Sequence, residues 1–166
     1  MQSLLAVVDG TERTNHTLRA AVERADRENA GLVVLNVTPE GAYWRKQDAI
    51  ERAGARTGEG YRWTTRQAEE SAKHAAERSA RVVVGDRDVD WTAVGAVGVP
   101  RKVTLRVAAE YDCDEILVSA SKSRWFDLRR SFEQKVAAAF DGTVTAVPDP
   151  AAGGAEGVSP VPEPEV

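Results

Sequence analysis

The chain has 166 residues, 42% of them apolar and 29% charged, with a formal net charge of −4. That length suits one domain with a full core, and the interspersed acids and bases argue against a dedicated polyanion-binding surface. No apolar run is long enough to span a bilayer, the single cysteine excludes an intramolecular disulfide, and two scattered histidines exclude the usual zinc spacings. The opening MQSLLAVVDG lacks the basic region of a signal peptide, so a cytoplasmic protein without membrane insertion is expected.

LLAVV (4–8) is a continuous apolar run ending in Asp9-Gly10, as in a strand buried on both faces. A helix is predicted from Thr14 to Asn29, with Leu18, Val22 and Ala25 on one face and Gly31 as its terminating glycine. LVVLNV (32–37) is a second buried strand. An irregular insertion, 38–64, follows, with a short helix and a loop. The next helix is predicted from Thr65 to Ala80, with a stripe of small residues that lets it lie close on a sheet. The run 81–90 divides ambiguously between helix and strand. Strand 90–97, helix 100–111 opening on Pro100, strand 115–120, helix 131–140 and strand 143–147 complete the order. The Pro-, Gly- and Glu-rich residues 149–166 read as a disordered tail.

Alternating strands and helices predict a single α/β domain, 1–148. Its sheet is expected to be doubly wound and parallel, with helices on both faces, as in Rossmann-like folds. Such sheets bind ligands beyond the carboxyl ends of their strands. Asp9 and Gly10, Val37 and the loop from Ser119 therefore become the candidate site.

LLAVVDGTERTNHTLRAAVERA, GLVVLNV, YDCDEILVSAS and SFEQKVAAAFDGTVTAV, in that order, resemble the universal stress protein family over about residues 3–148. The resemblance implies a five-stranded sheet of order 3-2-1-4-5, homodimerisation, and membership of either an ATP-binding or a non-binding branch. Binders share a Gly-x-x-Gly, nine residues, Gly-Ser/Thr signature after strand four. Carried across, its glycines fall on Ser119, Lys122 and Arg130, followed by a matching Ser131; the loop is also two residues short. The ligand-side aspartate maps to Asp9 and the adenine-side backbone contact to Val37.

Glycine lets backbone N–H groups approach a phosphate and adopts positive φ without strain. Here side chains stand in those places. Ser119, Ser121, Lys122, Arg130 and Ser131 could meet an anion through hydroxyls and charges instead. Each has a plainer reading as well. Ser131 with Gln134 has the capping-box spacing, Asp9 could cap the first helix, and the cations could form a solvated face. Tyr43, Trp44, Tyr61 and Trp63 could stack on a base or cover one end of the sheet.

The foremost expectation is a stress-response regulatory domain, non-enzymatic, with no cofactor and an unknown regulatory protein as partner. The alternative is a nucleotide or phosphate-anion sensor that takes AMP or ATP through the 119–131 loop. DGTERT is not the Ser-Gly-Gly-x-Asp-Ser loop of nucleotide-hydrolysing relatives, and no Walker loop is present, so no enzyme is expected. No nucleic-acid platform is expected either. Strand 143–147 falls at a sheet edge in the family order, which makes it the expected homodimer contact.

Overall fold

The computed structural model describes residues 2–57, 64–120, 131–150 and 159–160, of which 54–57 and 159–160 are described in backbone only. Five parallel strands, β1 (Ser3–Val8), β2 (Gly31–Pro39), β3 (Trp91–Gly98), β4 (Glu115–Ser119) and β5 (Thr143–Val147), lie in the order β3-β2-β1-β4-β5. The doubly wound sheet is therefore as the sequence predicts. A two-residue strand, β6 (Ser159–Pro160), adds to β5 in antiparallel sense.

Continuous apolar strands arise because the sheet is covered twice. Leu4, Ala6 and Val8 join Leu18 and Val22 of α1 (Asn15–Glu28) and Ala76 and Ala80 of α3 (Thr65–Val84) in one core. Leu5, alternating to the other face, joins Val103 and Val107 of α4 (Pro100–Glu110) and Val136 of α5 (Phe132–Ala139) in the second. Pro100 opens α4 as expected. The remaining helix, α2 (Glu40–Thr57), follows β2 directly.

The structure departs from the sequence expectations at three places and divides the run 81–90, which the sequence leaves open. α1 stops at Glu28, where Asn29 takes the left-handed conformation (φ 53°, ψ 45°) assigned above to Gly31, which instead starts β2. Asparagine tolerates that region, so the helix needs no glycine. Residues 81–84 continue α3, because the four-residue spacing of its buried alanines runs on to Val84. α2 is an eighteen-residue helix where a short one was expected. Two residues of the expected disordered tail pair with β5, so β5 is not an open edge along Thr145–Ala146.

Gly95 explains how close α3 lies. A Cβ there would collide with the backbone of α3, at the Glu69 carbonyl oxygen and the Lys73 amide nitrogen. The small stripe Ala68, Ala72, Ala76 and Ala80 is fully or almost fully buried against the sheet. Small residues on both sides give the short helix-to-sheet distance.

Candidate functional site

The carboxyl ends of β1, β2 and β4 converge where the family resemblance places a ligand. β1 delivers Asp9 and Gly10 there. Gly10 holds φ +79°, and a Cβ on it would stand 2.8 Å from Ala75 Cβ and 3.1 Å from Asn36 Nδ2. The glycine thus serves more than its turn: it admits α3 over the strand end. Asn36, buried near the end of β2, donates through Nδ2 to the Ala72 carbonyl (3.1 Å) and ties α3 down at the same level. The sequence reading did not single out Asn36. Its one signal is a lone amide within an apolar strand, which needs a buried partner.

Asp9 is exposed, yet its carboxylate turns back onto its own loop. Oδ1 accepts from the Thr11 N–H (2.8 Å), the Thr11 hydroxyl and the Thr14 hydroxyl (3.1 Å). Partial burial alone would raise its pKa. The bonds from Thr11 and Thr14, with the charge of Arg13, outweigh burial and hold it below the usual aspartate value. Oδ2 takes no bond among the described residues.

Val37 lies half-buried on β2, packed against the α4–α5 side of the core. Ser119, ending β4, places its hydroxyl 2.6 Å from that of the fully buried Thr17 in α1. Next to Thr17, His16 is partly buried and not the free surface histidine its isolated position suggests. Its Nε2 lies 3.2 Å from the Val147 carbonyl, and since a carbonyl only accepts, Nε2 carries the proton. That same carbonyl accepts from the Ala120 N–H (2.9 Å).

Ser131 caps α5 in a full capping box. Its Oγ accepts from the Gln134 N–H (3.3 Å), and its own N–H donates to Gln134 Oε1 (3.1 Å). The structure brings Asp9, Val37 and Ser119 to the carboxyl end of the sheet on neighbouring strands. Ser121, Lys122 and Arg130 lie outside the described residues, as do Tyr61 and Trp63. Of the two described insertion aromatics, Tyr43 is buried and Trp44 is 62% exposed. Their rings meet edge to face at 5.1 Å. The Tyr43 hydroxyl accepts from Thr65 Oγ1 (3.3 Å), so this ring covers the start of α3.

Among the described residues no group of His, Cys, Asp and Glu side chains could hold a metal ion, and no helix is long and apolar enough to cross a membrane. Cys113 is buried, and its thiol is pushed up to about 11 by burial and by the Asp114 and Asp112 carboxylates.

A doubly wound parallel sheet of order β3-β2-β1-β4-β5, with an Asp-Gly turn after β1 and Ser119 ending β4, defines a Rossmann-like α/β domain. The model of the universal stress protein family matches residues 1–148, and the chain belongs to that family. Among solved structures, universal stress protein UspA from Lactobacillus plantarum superposes with a TM-score of 0.62 at 19% identity, over 88% of this chain and 97% of that one. A universal stress protein in complex with cAMP gives 0.55 at 18%, covering 86% and 93%. One from Archaeoglobus fulgidus in complex with dAMP gives 0.50 at 18%, covering 87% and 94%. At these identities the likeness is one of fold. No curated protein is similar enough to count as a relative.

Proposed function

We propose that the protein is a non-catalytic regulatory domain of the universal stress type, a homodimer whose nucleotide site keeps its outline and is no longer built for a triphosphate. The observation that carries this reading is that the described polar groups at the rim are spent on the protein itself. Asp9 Oδ1 holds Thr11 and Thr14, Ser119 meets Thr17, Ser131 caps α5 and Asn36 binds α3. A ligand would have to replace bonds that already exist, which removes most of the net gain of a new one. The positions of the three signature glycines carry Ser119, Lys122 and Arg130, residue types without the freedom of φ and the close backbone approach that glycine offers a phosphate. The buried, high-pKa Cys113 supports the absence of a thiol nucleophile.

The sensor reading has one specific observation in its favour. Asp9 is exposed with Oδ2 unengaged among the described residues, and two structural neighbours were crystallised with cAMP and dAMP. Thermal unfolding with and without 1 mM ATP, AMP or cAMP separates the two. A site with a Kd of 10 µM would add about 2.7 kcal/mol at that concentration, or roughly 5–10 °C for a chain of this size. The regulatory reading expects shifts below about 1 °C; a shift of several degrees with any of the three overturns it in favour of the sensor.

A further inference from the structure

β5 offers its outer edge through alternate residues. The Thr143 N–H donates to Asp114 O (3.1 Å) and Val147 O accepts from Ala120 N–H (2.9 Å), both toward the β4 side. Strand alternation then turns the N–H and C=O of Val144 and Ala146 outward. β6 meets this edge in a particular phase: Ser159 lies opposite Ala146 and Pro160 opposite Thr145. Ala146 and Ser159 therefore form the pair that exchanges backbone hydrogen bonds. Pro160 falls at the non-bonded position, where the missing N–H is not needed and its absence faces away from β5.

SPVPEPEV places proline at 160, 162 and 164, every second residue. An extended segment written this way keeps the donors of one edge and loses those of the other. It can add to a sheet and cannot be added to, which is how natural proteins end an exposed edge.

The geometry points to the β5 edge as the docking site of the chain's own proline-alternating C-terminal segment, which competes there with a second copy of the protein. The competition rests on the homodimer reading above; the coverage of the edge does not. The tail would thereby set the concentration at which dimers form, since a partner's β5 can pair only when Ser159 has left Ala146.

The test uses the full chain with Ser159→Pro, which removes the one inward donor of β6, and Pro160→Ala as the variant whose change faces outward. Amide hydrogen exchange at low micromolar concentration reads the coverage. In Ser159→Pro the Ala146 amide should exchange at least about tenfold faster than in the parent, and in Pro160→Ala at the parent rate. Sedimentation equilibrium reads the competition. Ser159→Pro should lower the dimer Kd about fivefold or more, the weight of one or two backbone hydrogen bonds, and Pro160→Ala should leave it unchanged. Unchanged exchange at Ala146 would overturn the docking itself. Faster exchange with the same dimer Kd would overturn the competition and leave the homodimer reading standing. Monomers throughout, at high micromolar concentration in both variants and parent, would overturn the homodimer reading and the competition together.

Discussion

Gly95→Ala adds one methyl group where α3 lies directly on β3. The new Cβ would meet three backbone atoms of α3, belonging to Glu69, Ala72 and Lys73, and backbone cannot rotate aside as a side chain can. Restoring ordinary carbon contacts of about 3.5–4 Å requires the helix to lift by on the order of 1 Å. Overpacking of this kind costs about 1–3 kcal/mol. The same lift strains the Asn36 Nδ2 to Ala72 O bond, adding about 1 kcal/mol, for a total near 2–4 kcal/mol. Gly31→Ala is the matched comparison. There φ lies outside the left-handed region and the new Cβ would meet only Ser3 Oγ, at an ordinary 3.6 Å, so a change within about 0.5 kcal/mol applies. Urea unfolding followed by far-UV circular dichroism should rank Gly95→Ala below Gly31→Ala in stability, both with parental m values. A Gly95→Ala loss under about 0.5 kcal/mol would refute the close helix-to-sheet contact on which the shape of the site depends.

Three further outcomes follow from buried or hydrogen-bonded charge. Arg24 Nη1 reaches both oxygens of the buried Glu115 (2.8 and 3.1 Å), which also accepts from Thr145 Oγ1 (2.6 Å). Arg24→Ala leaves that carboxylate short of its partner and should cost about 2–4 kcal/mol in urea unfolding, while Arg24→Met with Glu115→Leu should cost less because no buried charge is left alone. The folded-state pKa of Asp9 lies below its unfolded value of 3.8, so its contribution is present above about pH 4 and is lost as pH falls through the folded value. Asp9→Asn should therefore be less stable than the parent at pH 7 and show a shallower acid limb in pH-dependent unfolding; identical limbs would contradict the Thr11 and Thr14 bonds. Cys113, with its thiol near 11, should react with a disulfide reagent at pH 8 at least about a hundredfold more slowly in the native protein than in urea.

Strand runs such as LLAVV and EILVS were readable because a parallel sheet covered on both faces tolerates no alternation. Pro100 and the Ser131–Gln134 pair were readable because helix starts carry local chemistry. The end of α3 was not, since Val82, Val83 and Val84 have the composition of a strand. Only the four-residue spacing from Ala68 to Val84 distinguishes them, and Val82 is 77% exposed. Competition between Asn29 and Gly31 for the end of α1 is settled by the Ala25 carbonyl, which accepts from both the Asn29 and Ala30 N–H groups. At the site, Asp9 and Ser119 were visible as residue types at strand ends. What they bind was not, because Thr17 is distant from Ser119 in sequence and Asn36 meets α3 across the crossover. The pairing of Ser159 with Ala146 was hidden for the same reason: a segment of low hydrophobicity gains its place from a neighbouring edge.

The central claim is that this universal stress fold keeps the outline of a nucleotide site and has turned its polar rim inward. Calorimetric titration of the nucleotide-stripped protein with ATP and with AMP, each with and without magnesium, tests it most directly. The account expects no binding heat up to millimolar nucleotide. A Kd below about 10 µM, roughly −7 kcal/mol, would contradict it and show that side chains have taken over the work of the missing glycines.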